Sequence, residues 1–364
     1  MSNNRIPVAI IGVGGFGGRT LSALAASDAV EVVGVSDRDA AAAEQAARPL
    51  GIRAYGDNRS LLAETRPAAV YLAVPPAAAA ELIGPCAERG IHVWTEAPLA
   101  RSLDEGLAMV RRMEQGGLKL AVGTQRRFAP TYRRAWELFT AGRLGQVFLA
   151  RAHYLFNWGP TLGWRGDRAA GGGALLELGY HPLDLLVWLL GVPEEVYGFS
   201  AAPARPAEPT GDAAPQPLYD TDDTAVAVLR FAAGHVATVV TTRRSGPVSE
   251  ELCVHGRGGS LVVNAEACLL RDPDGHLLDE IAAGPPLEVF RHQGEAFARA
   301  VAENATHYEC SARENLLNLA VIEAIYLSAR TGQPESPLRL LHTRELSVAD
   351  CLRYRPAPGE TPPQ

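Results

Sequence analysis

The stretch Val8-Ala-Ile-Ile-Gly12-Val-Gly14-Gly15-Phe16-Gly17 joins an apolar run to four glycines, and a helical pattern follows it. Gly12 can take a sharp turn, and Gly14 has no side chain to hold a phosphate group away from the backbone. Gly17 lets a helix pack closely against a strand. We therefore predict a strand, a turn and a helix, with a dinucleotide contacted by Gly12, Gly14, Gly15, Phe16 and Gly17.

A second apolar run, Val30–Ser36, ends at Asp37. The interval of about 20 residues from Gly17 to this acid is typical of a dinucleotide-binding βαβ unit. The amino end of the intervening helix offers N–H groups and partial positive charge to phosphates. Asp37 can accept a hydrogen bond from a ribose 2′-hydroxyl and would repel a 2′-phosphate, which favours NAD over NADP. Arg38, also assigned to this site, weakens that preference, because a guanidinium can pair with a 2′-phosphate or stack on adenine.

The composition excludes several classes of protein. The 364 residues predict two domains, and 47% hydrophobic with 21% charged residues is typical of a globular chain with a sizeable core. A net charge of −7 gives no basic surface for nucleic acid. The five cysteines show no C-x-x-C spacing, so we predict neither disulfides nor a metal site. With no signal sequence and no long apolar run, we expect a cytoplasmic protein without a membrane partner.

Apolar runs alternate with helical patterns through the first third of the chain. These runs are apolar on both faces, as in buried parallel strands. We predict an α/β Rossmann domain over residues 1–124. The later strands, linked by short turns such as the one at Gly234, indicate an antiparallel sheet.

We therefore predict a C-terminal α+β domain over residues 125–364, built on a large, mainly antiparallel open sheet. Within it we expect a mobile insertion at 201–217 and a disordered tail from residue 356. The open face of such a sheet commonly packs against a second copy, so we expect a homodimer or homotetramer.

Ligand groups in a doubly wound sheet lie at the carboxyl ends of its strands. Those ends carry further residues that we assign to the cofactor: Val74, Pro75, Glu96 and Gln125. Arg127 follows closely and is assigned to the substrate. For Gln125 and Arg127, hydrogen bonds between the domains are an equal alternative.

A histidine between two acids is the main candidate for proton transfer. His181 follows Glu177 by four residues and precedes Asp184 by three, so the three can share a helical face, although Gly179 and Pro182 loosen that geometry. A carboxylate beside the imidazole would fix its tautomer. We assign His181 and Glu177 to catalysis. We assign Tyr154, Trp164 and Asp184 to a small-molecule substrate; for Trp164, covering the domain junction is an equal alternative.

Several ordered motifs resemble the glucose–fructose oxidoreductase/inositol dehydrogenase (Gfo/Idh/MocA) family over nearly the whole chain. They include the glycine turn with Asp37, Val74-Pro75-Pro76, the segment from Gly90 to Ala100, Val122-Gly-Thr-Gln-Arg-Arg-Phe128 and the segment from Gly171 to Asp184. The resemblance implies a nicotinamide enzyme that moves hydride to or from a sugar, cyclitol or related carbonyl compound. It also implies that a lysine, an acidic residue and a histidine manage the proton.

The chain departs from that pattern at one position of chemical importance. The family's lysine lies in Glu-Lys-Pro, and here the position is Ala97, which can neither donate a proton nor carry charge. The acidic residue is Glu177 where aspartate is usual, and the histidine is His181. Of the 34 lysines and arginines, the one lysine is Lys119, which opens another strand.

Three interpretations follow from this departure. In the first, His181 is the working acid and base, oriented by Glu177 or Asp184. In the second, another donor such as Tyr154, Tyr180 or an arginine has taken over. In the third, the protein binds a dinucleotide and a sugar-like ligand with little or no redox turnover. An NAD-dependent but redox-neutral reaction, such as elimination through transient oxidation, is a further alternative.

Overall fold

The computed structural model describes residues 5–158, 163–202 and 219–352. The predicted tail from residue 356 lies outside these residues, as does the predicted insertion from residue 203 onward. The strands are β1 Ile6–Ile11, β2 Val30–Ser36, β3 Ala54–Tyr55, β4 Ala69–Leu72, β5 His92–Glu96, β6 Leu120–Gly123, β7 Val147–Asn157, β8 Glu195–Ala201, β9 Thr224–Arg230, β10 Val236–Thr242, β11 Arg244–Gly256, β12 Gly259–Val263, β13 Ala267–Arg271 and β14 Leu277–Ala282.

The α-helices fall between these strands and after them. They are α1 Gly15–Ala25, α2 Ala40–Ala47, α3 Asn58–Thr65, α4 Pro76–Glu88, α5 Leu103–Gln115, α6 Pro130–Thr140, α7 Ala174–Glu177, α8 Tyr180–Leu190, α9 Glu288–Ala302, α10 Ala312–Thr331, α11 Pro337–His342 and α12 Val348–Cys351. The described helices include none that is long and apolar enough to cross a membrane.

The chain divides into two compact units. The first contains residues 1–100, 104–129 and 284–315, and the second contains 101–103, 130–283 and 316–364. The first unit therefore takes up a late segment, 284–315, that the predicted boundary at 124/125 assigns to the second domain.

The first unit is built on a six-stranded parallel sheet, in the order β3-β2-β1-β4-β5-β6. This is the strand order of a dinucleotide-binding Rossmann fold, and the order reverses between β1 and β4. Four residues of β1 and all of β4 are buried. The prediction of an α/β Rossmann domain is confirmed.

Helix α9 completes this unit although it lies far along the chain. A Cβ atom on Gly294 would come within 2.4 Å of Leu24 in α1, so the two helices pack with almost no gap. The rings of Phe290 and Phe16 are 6.1 Å apart. The Ser27 hydroxyl donates to Glu295 at 2.9 Å. These contacts explain why the segment belongs with the first unit.

The second unit contains an eight-stranded sheet in the order β14-β13-β12-β11-β7-β10-β9-β8. Every neighbouring pair is antiparallel except β7 with β10, which is parallel. The predicted mainly antiparallel sheet is therefore confirmed. In β9, Ala225, Ala227 and Leu229 are buried, whereas Val226 and Val228 on the opposite face are exposed.

Candidate functional site

The glycine turn between β1 and α1 is shaped by close contacts that exclude side chains. Gly12 has φ +90°, and a Cβ atom there would lie 2.4 Å from the Ala73 carbonyl oxygen. A Cβ atom on Gly17 would lie 2.0 Å from the Gly12 oxygen. Gly14 and Gly15 have nothing within 4 Å of such an atom, so the outer side of the turn is open. A phosphate group can therefore approach the backbone at the amino end of α1.

Asp37 is held against this turn at the carboxyl end of β2. Its Oδ2 accepts a hydrogen bond of 2.8 Å from the backbone N–H of Val13, and its Oδ1 accepts one of 3.0 Å from Asp39. The carboxylate thus lies beside the turn with a fixed orientation. Arg38 follows it in the chain and is exposed, so the two residues predicted to decide between NAD and NADP lie side by side.

Glu96 lies at the carboxyl end of β5 and is partly buried. Its Oε1 accepts a hydrogen bond from the hydroxyl of Tyr71 in β4, which is fully buried and accepts one of 3.2 Å from Thr20 in α1. Burial raises the pKa of Glu96 to about 7, although the hydrogen bonds from Tyr71 and the Ala97 backbone oppose the shift. A carboxyl group at this strand end can therefore take either charge state near neutral pH.

The other predicted cofactor residues also lie at this edge of the sheet. Val74 and Pro75 are partly buried between β4 and α4. Gln125 follows β6 and is buried, and within the described part of the chain its Oε1 has no hydrogen-bond partner. The hydroxyl of Thr124 is likewise buried and has no hydrogen-bond partner among the residues described. Buried acceptors and donors of this kind are normally satisfied, so these atoms fit contacts with a bound ligand.

Arg127 is buried rather than presented on the surface of the first unit. Its Nη1 donates to Glu314 at 2.6 Å, and both side chains are less than a tenth exposed. A carboxylate already neutralises this guanidinium. Both residues belong to the first unit, so the pair is a contact within that unit, and the two interpretations given for Arg127 above stay predictions.

His181 lies in the first turn of α8, in the second unit, and is partly buried. Its ring meets that of Tyr154 in β7 edge to face, with centroids 6.2 Å apart. Asp184, almost completely buried one turn later, accepts a hydrogen bond of 2.8 Å from Asn318. The predicted catalytic histidine thus has a phenol beside it.

Glu177 ends α7 and is buried in contact with an arginine that the sequence did not single out. Its Oε1 pairs with Arg165 Nε, whereas Oε2 is buried without a partner among the residues described. The Arg165 guanidinium stacks on Trp158 at 3.9 Å and on Trp164 at 4.8 Å from the ring centroids. Burial raises the pKa of Glu177, and Arg165 opposes the shift. The arginine therefore keeps a buried carboxylate close to the histidine-bearing helix.

The turn before α7 is formed by Gly171-Gly172-Gly173. Gly171 and Gly173 have φ of +97° and +136°, and a Cβ atom on Gly172 would lie 2.2 Å from the Arg165 oxygen. Asp222 then fixes α7, because its Oδ2 accepts from Leu175 N at 2.8 Å and its Oδ1 from the Tyr326 hydroxyl at 2.7 Å.

A second buried ion pair supports the same segment. Arg243 is fully buried and donates to Asp223 at 2.7 Å and to the Arg165 carbonyl at 2.7 Å. Sequence reasoning missed this network, together with Arg165 and Tyr71. The available signal was weak: the dipeptide Asp222-Asp223, one arginine among many, and one phenol in an apolar strand.

Neither Ala97 nor Lys119 supplies a basic group beside Glu96. Ala97 follows Glu96 directly and has a methyl side chain. Lys119 precedes β6 at its amino end, is almost completely buried, and has Asn304 Oδ1 at 3.4 Å from its Nζ.

Comparison with known proteins identifies the class. Residues 6–124 match the oxidoreductase family with an NAD-binding Rossmann fold, and residues 132–262 match the GFO/IDH/MocA C-terminal domain. The chain belongs to the GFO/IDH/MocA family of oxidoreductases.

Two similar curated proteins are sugar dehydrogenases. A D-xylose 1-dehydrogenase (NADP+) of Haloferax volcanii is 30% identical over 338 residues, covering 89% of this chain and 97% of the relative. A D-apiose dehydrogenase of Paraburkholderia graminis is 28% identical over 352 residues, covering 90% of this chain and 89% of the relative. Among solved structures, a levoglucosan dehydrogenase in complex with NADH and levoglucosan has a TM-score of 0.80 at 24% identity, covering 91% of this chain and 99% of that one.

The Arg165–Glu177 pair leads us to predict how the free energy of unfolding depends on pH. Replacing Arg165→Met removes the cation, so the pKa of Glu177 rises further above its unfolded value. A carboxyl group with a raised pKa stabilises the fold at low pH and loses that contribution as pH rises through the folded pKa. We expect the variant to lose about 2 kcal/mol more unfolding free energy at pH 8 than at pH 5, measured by urea unfolding.

The double variant Arg165→Met/Glu177→Gln should recover most of that pH-dependent loss, because glutamine carries no charge. Arg230→Met is the matched control: this exposed arginine of the same unit pairs with Glu194 and Glu195, and its loss should not depend on pH in this way. An equal loss for Arg165→Met at both pH values would contradict the prediction.

Proposed function

We propose that this protein is an NAD-dependent oxidoreductase that acts on a sugar, a cyclitol or a related polyol or carbonyl compound. The observation that carries the proposal is the open glycine turn with Asp37 bonded against it. This arrangement supports dinucleotide binding in a family of oxidoreductases. The sugar dehydrogenases among the relatives support the substrate class.

The first unit would hold the cofactor. The backbone from Gly12 to Gly17 and the amino end of α1 would bind the pyrophosphate, and Asp37 the adenosine ribose. Because the turn lies at β1 and Asp37 at β2, the nicotinamide half would extend toward the ends of β4, β5 and β6. There Val74, Pro75, Glu96 and Gln125 would line it.

Proton transfer is a task separate from cofactor binding, and we assign it to His181. A bound NAD+ would supply the acceptor for the hydride on the carbon that bears the substrate hydroxyl. His181 would accept the hydroxyl proton during oxidation and return it during reduction. Tyr154, beside that ring, is the second candidate donor, and Arg165 and Tyr180 are further ones. Glu177, paired with Arg165, would act electrostatically.

Substrate binding would involve Tyr154 and the indole of Trp164, whose apolar face suits sugar C–H groups. Asp184 and Arg127 already bond to Asn318 and Glu314, so we propose that they support the site by holding its elements in place.

The rival function is dinucleotide and ligand binding with little or no redox turnover. Ala97, at the position of the family's lysine, favours it, because a methyl group supplies no proton. A redox-neutral reaction through transient oxidation is a third candidate.

Turnover distinguishes these functions. With NAD+ and a panel of polyols, or NADH and keto-sugars, we expect a change in reduced-nicotinamide absorbance, and His181→Ala should lower kcat about 10²–10⁴-fold. His276→Ala, at an exposed turn of the same unit, is the control. Saturable NADH binding with no turnover on any substrate would favour the binding function, and an active enzyme indifferent to His181→Ala would overturn its assignment.

Asp37 tests the preference for NAD. Asp37→Asn keeps an acceptor for Val13 N–H and removes the charge, so we expect the preference for NADH over NADPH to fall about 5- to 10-fold in fluorescence titrations. Asp37→Ala removes the acceptor too and should weaken both cofactors. An unchanged preference in Asp37→Asn would mean that Arg38 dominates.

We also propose that the sheet of the second unit forms a homodimer or homotetramer interface. Phe199, Val226, Val228 and Val236 are exposed apolar residues, and strand pairing places them on one face. Light scattering should give a dimer or tetramer mass for the native protein and a lower mass for Val228→Glu. Leu50→Glu, at an exposed apolar residue of the first unit, should keep the native mass; a native monomer would refute the proposal.

A further inference from the structure

Glu96 lies at the strand end where we expect the nicotinamide ring, and the charge of that ring depends on whether the cofactor is oxidised or reduced. The adenosine end of a dinucleotide belongs at β2 and the pyrophosphate at β1, so the other end lies over β4, β5 and β6. Glu96 is the last residue of β5, the middle strand of those three. NAD+ carries a positive charge on its nicotinamide ring, whereas the ring of NADH is neutral.

The carboxylate is held in place by neighbours from each adjacent element. On the β4 side, Tyr71 donates to Oε1, and the ring of Tyr71 is fixed by that of Trp94, with centroids 4.3 Å apart. On the β6 side, Gly123 is directly opposite in the strand register, and a Cβ atom there would lie 2.9 Å from Oε2. Any side chain at residue 123 would displace the carboxylate.

No basic side chain neutralises Glu96 among the residues described. Tyr71 in β4 is the titratable group that faces Glu96, and the Thr20 hydroxyl of α1 lies behind Tyr71. The remaining neighbours are uncharged: Gly123 in β6, and Ala97, which follows Glu96 in the chain. Burial and the neighbouring Glu96 raise the pKa of Tyr71 well above its usual value, so the phenol stays protonated. Burial raises the pKa of Glu96 to about 7, so Glu96 alone in this group changes charge near neutral pH.

We propose that Glu96 selects the oxidation state of the bound cofactor: its carboxylate favours NAD+, and its protonated form favours NADH. The attraction between an ionised carboxyl and a nicotinamide cation is strong at a partly desolvated strand end. NAD+ binding therefore releases the Glu96 proton, and reduction of the bound cofactor restores it. This inference rests on the proposed binding of NAD.

Cofactor affinity as a function of pH tests the inference without turnover. NADH dissociation constants come from fluorescence titration between about pH 6 and pH 8.5, and NAD+ constants from competition with NADH. The ratio Kd(NAD+)/Kd(NADH) should fall about tenfold as pH rises, which is the effect of a one-unit difference in Glu96 pKa between the two complexes. Calorimetry near pH 7 in buffers of different ionisation enthalpy should show proton release on NAD+ binding and proton uptake on NADH binding.

Glu96→Gln should bind NADH as the native protein does at low pH, and its ratio should be independent of pH. Tyr71→Phe removes a donor that stabilises the carboxylate, so the midpoint of the pH dependence of Kd(NAD+)/Kd(NADH) should move to higher pH. This variant tests the role of Glu96 if Glu96→Gln does not fold. Glu64→Gln, at an exposed carboxylate of the same unit, should retain the native curve.

The outcomes separate the two proposals. A native protein with no saturable NADH binding at any pH would refute the proposed function itself. Three other outcomes would overturn the role of Glu96 and leave the proposed function standing. In the first, the native protein binds NADH but its ratio Kd(NAD+)/Kd(NADH) does not change with pH. In the others, the pH dependence of that ratio persists in Glu96→Gln, or a folded Glu96→Gln does not bind NADH.

Discussion

The first unit depends on one steric constraint: the chain must turn from β1 into α1 through positions that have no room for a side chain. Gly12 lies against the Ala73 carbonyl and Gly17 against Gly12 itself. This close packing puts the amino end of α1 directly above β1, beside the reversal of strand order. Asp37 reaches the same turn through the Val13 N–H. The geometry of the candidate cofactor site follows from that turn.

The sequence predicted the features that depend on local pattern. The parallel strands were apolar on both faces, and the glycine spacing indicated the turn, so both could be read from short stretches. Strands β3, β8, β13 and β14 were not predicted. Strand β3 is too short to show a period, and β14 is mostly exposed. The late segment that joins the first unit was assigned elsewhere, because its contacts with Leu24 and Phe16 are distant in sequence.

The candidate catalytic residues show the same limit. His181 and Glu177 were singled out by motif, and so was Tyr154, whose ring lies beside His181, but the partner of Glu177 was not. Arg165 is one of many arginines, and only folding brings it between Glu177 and two indoles. The buried Arg243–Asp223 pair likewise joins residues 20 positions apart. A buried charge requires a partner, yet the sequence does not say which of many candidates supplies it.

The return of α9 to the first unit has a consequence for biosynthesis. The ribosome makes residues 1–129 first, yet the groove that receives α9, bordered by Leu24, Trp94 and Phe16, stays open until residues 284–315 have emerged. All eight strands of the second unit's sheet are synthesised in that interval. The nascent nucleotide-binding half therefore carries an uncovered apolar surface while residues 130–283 are made, which is the kind of surface that chaperones engage.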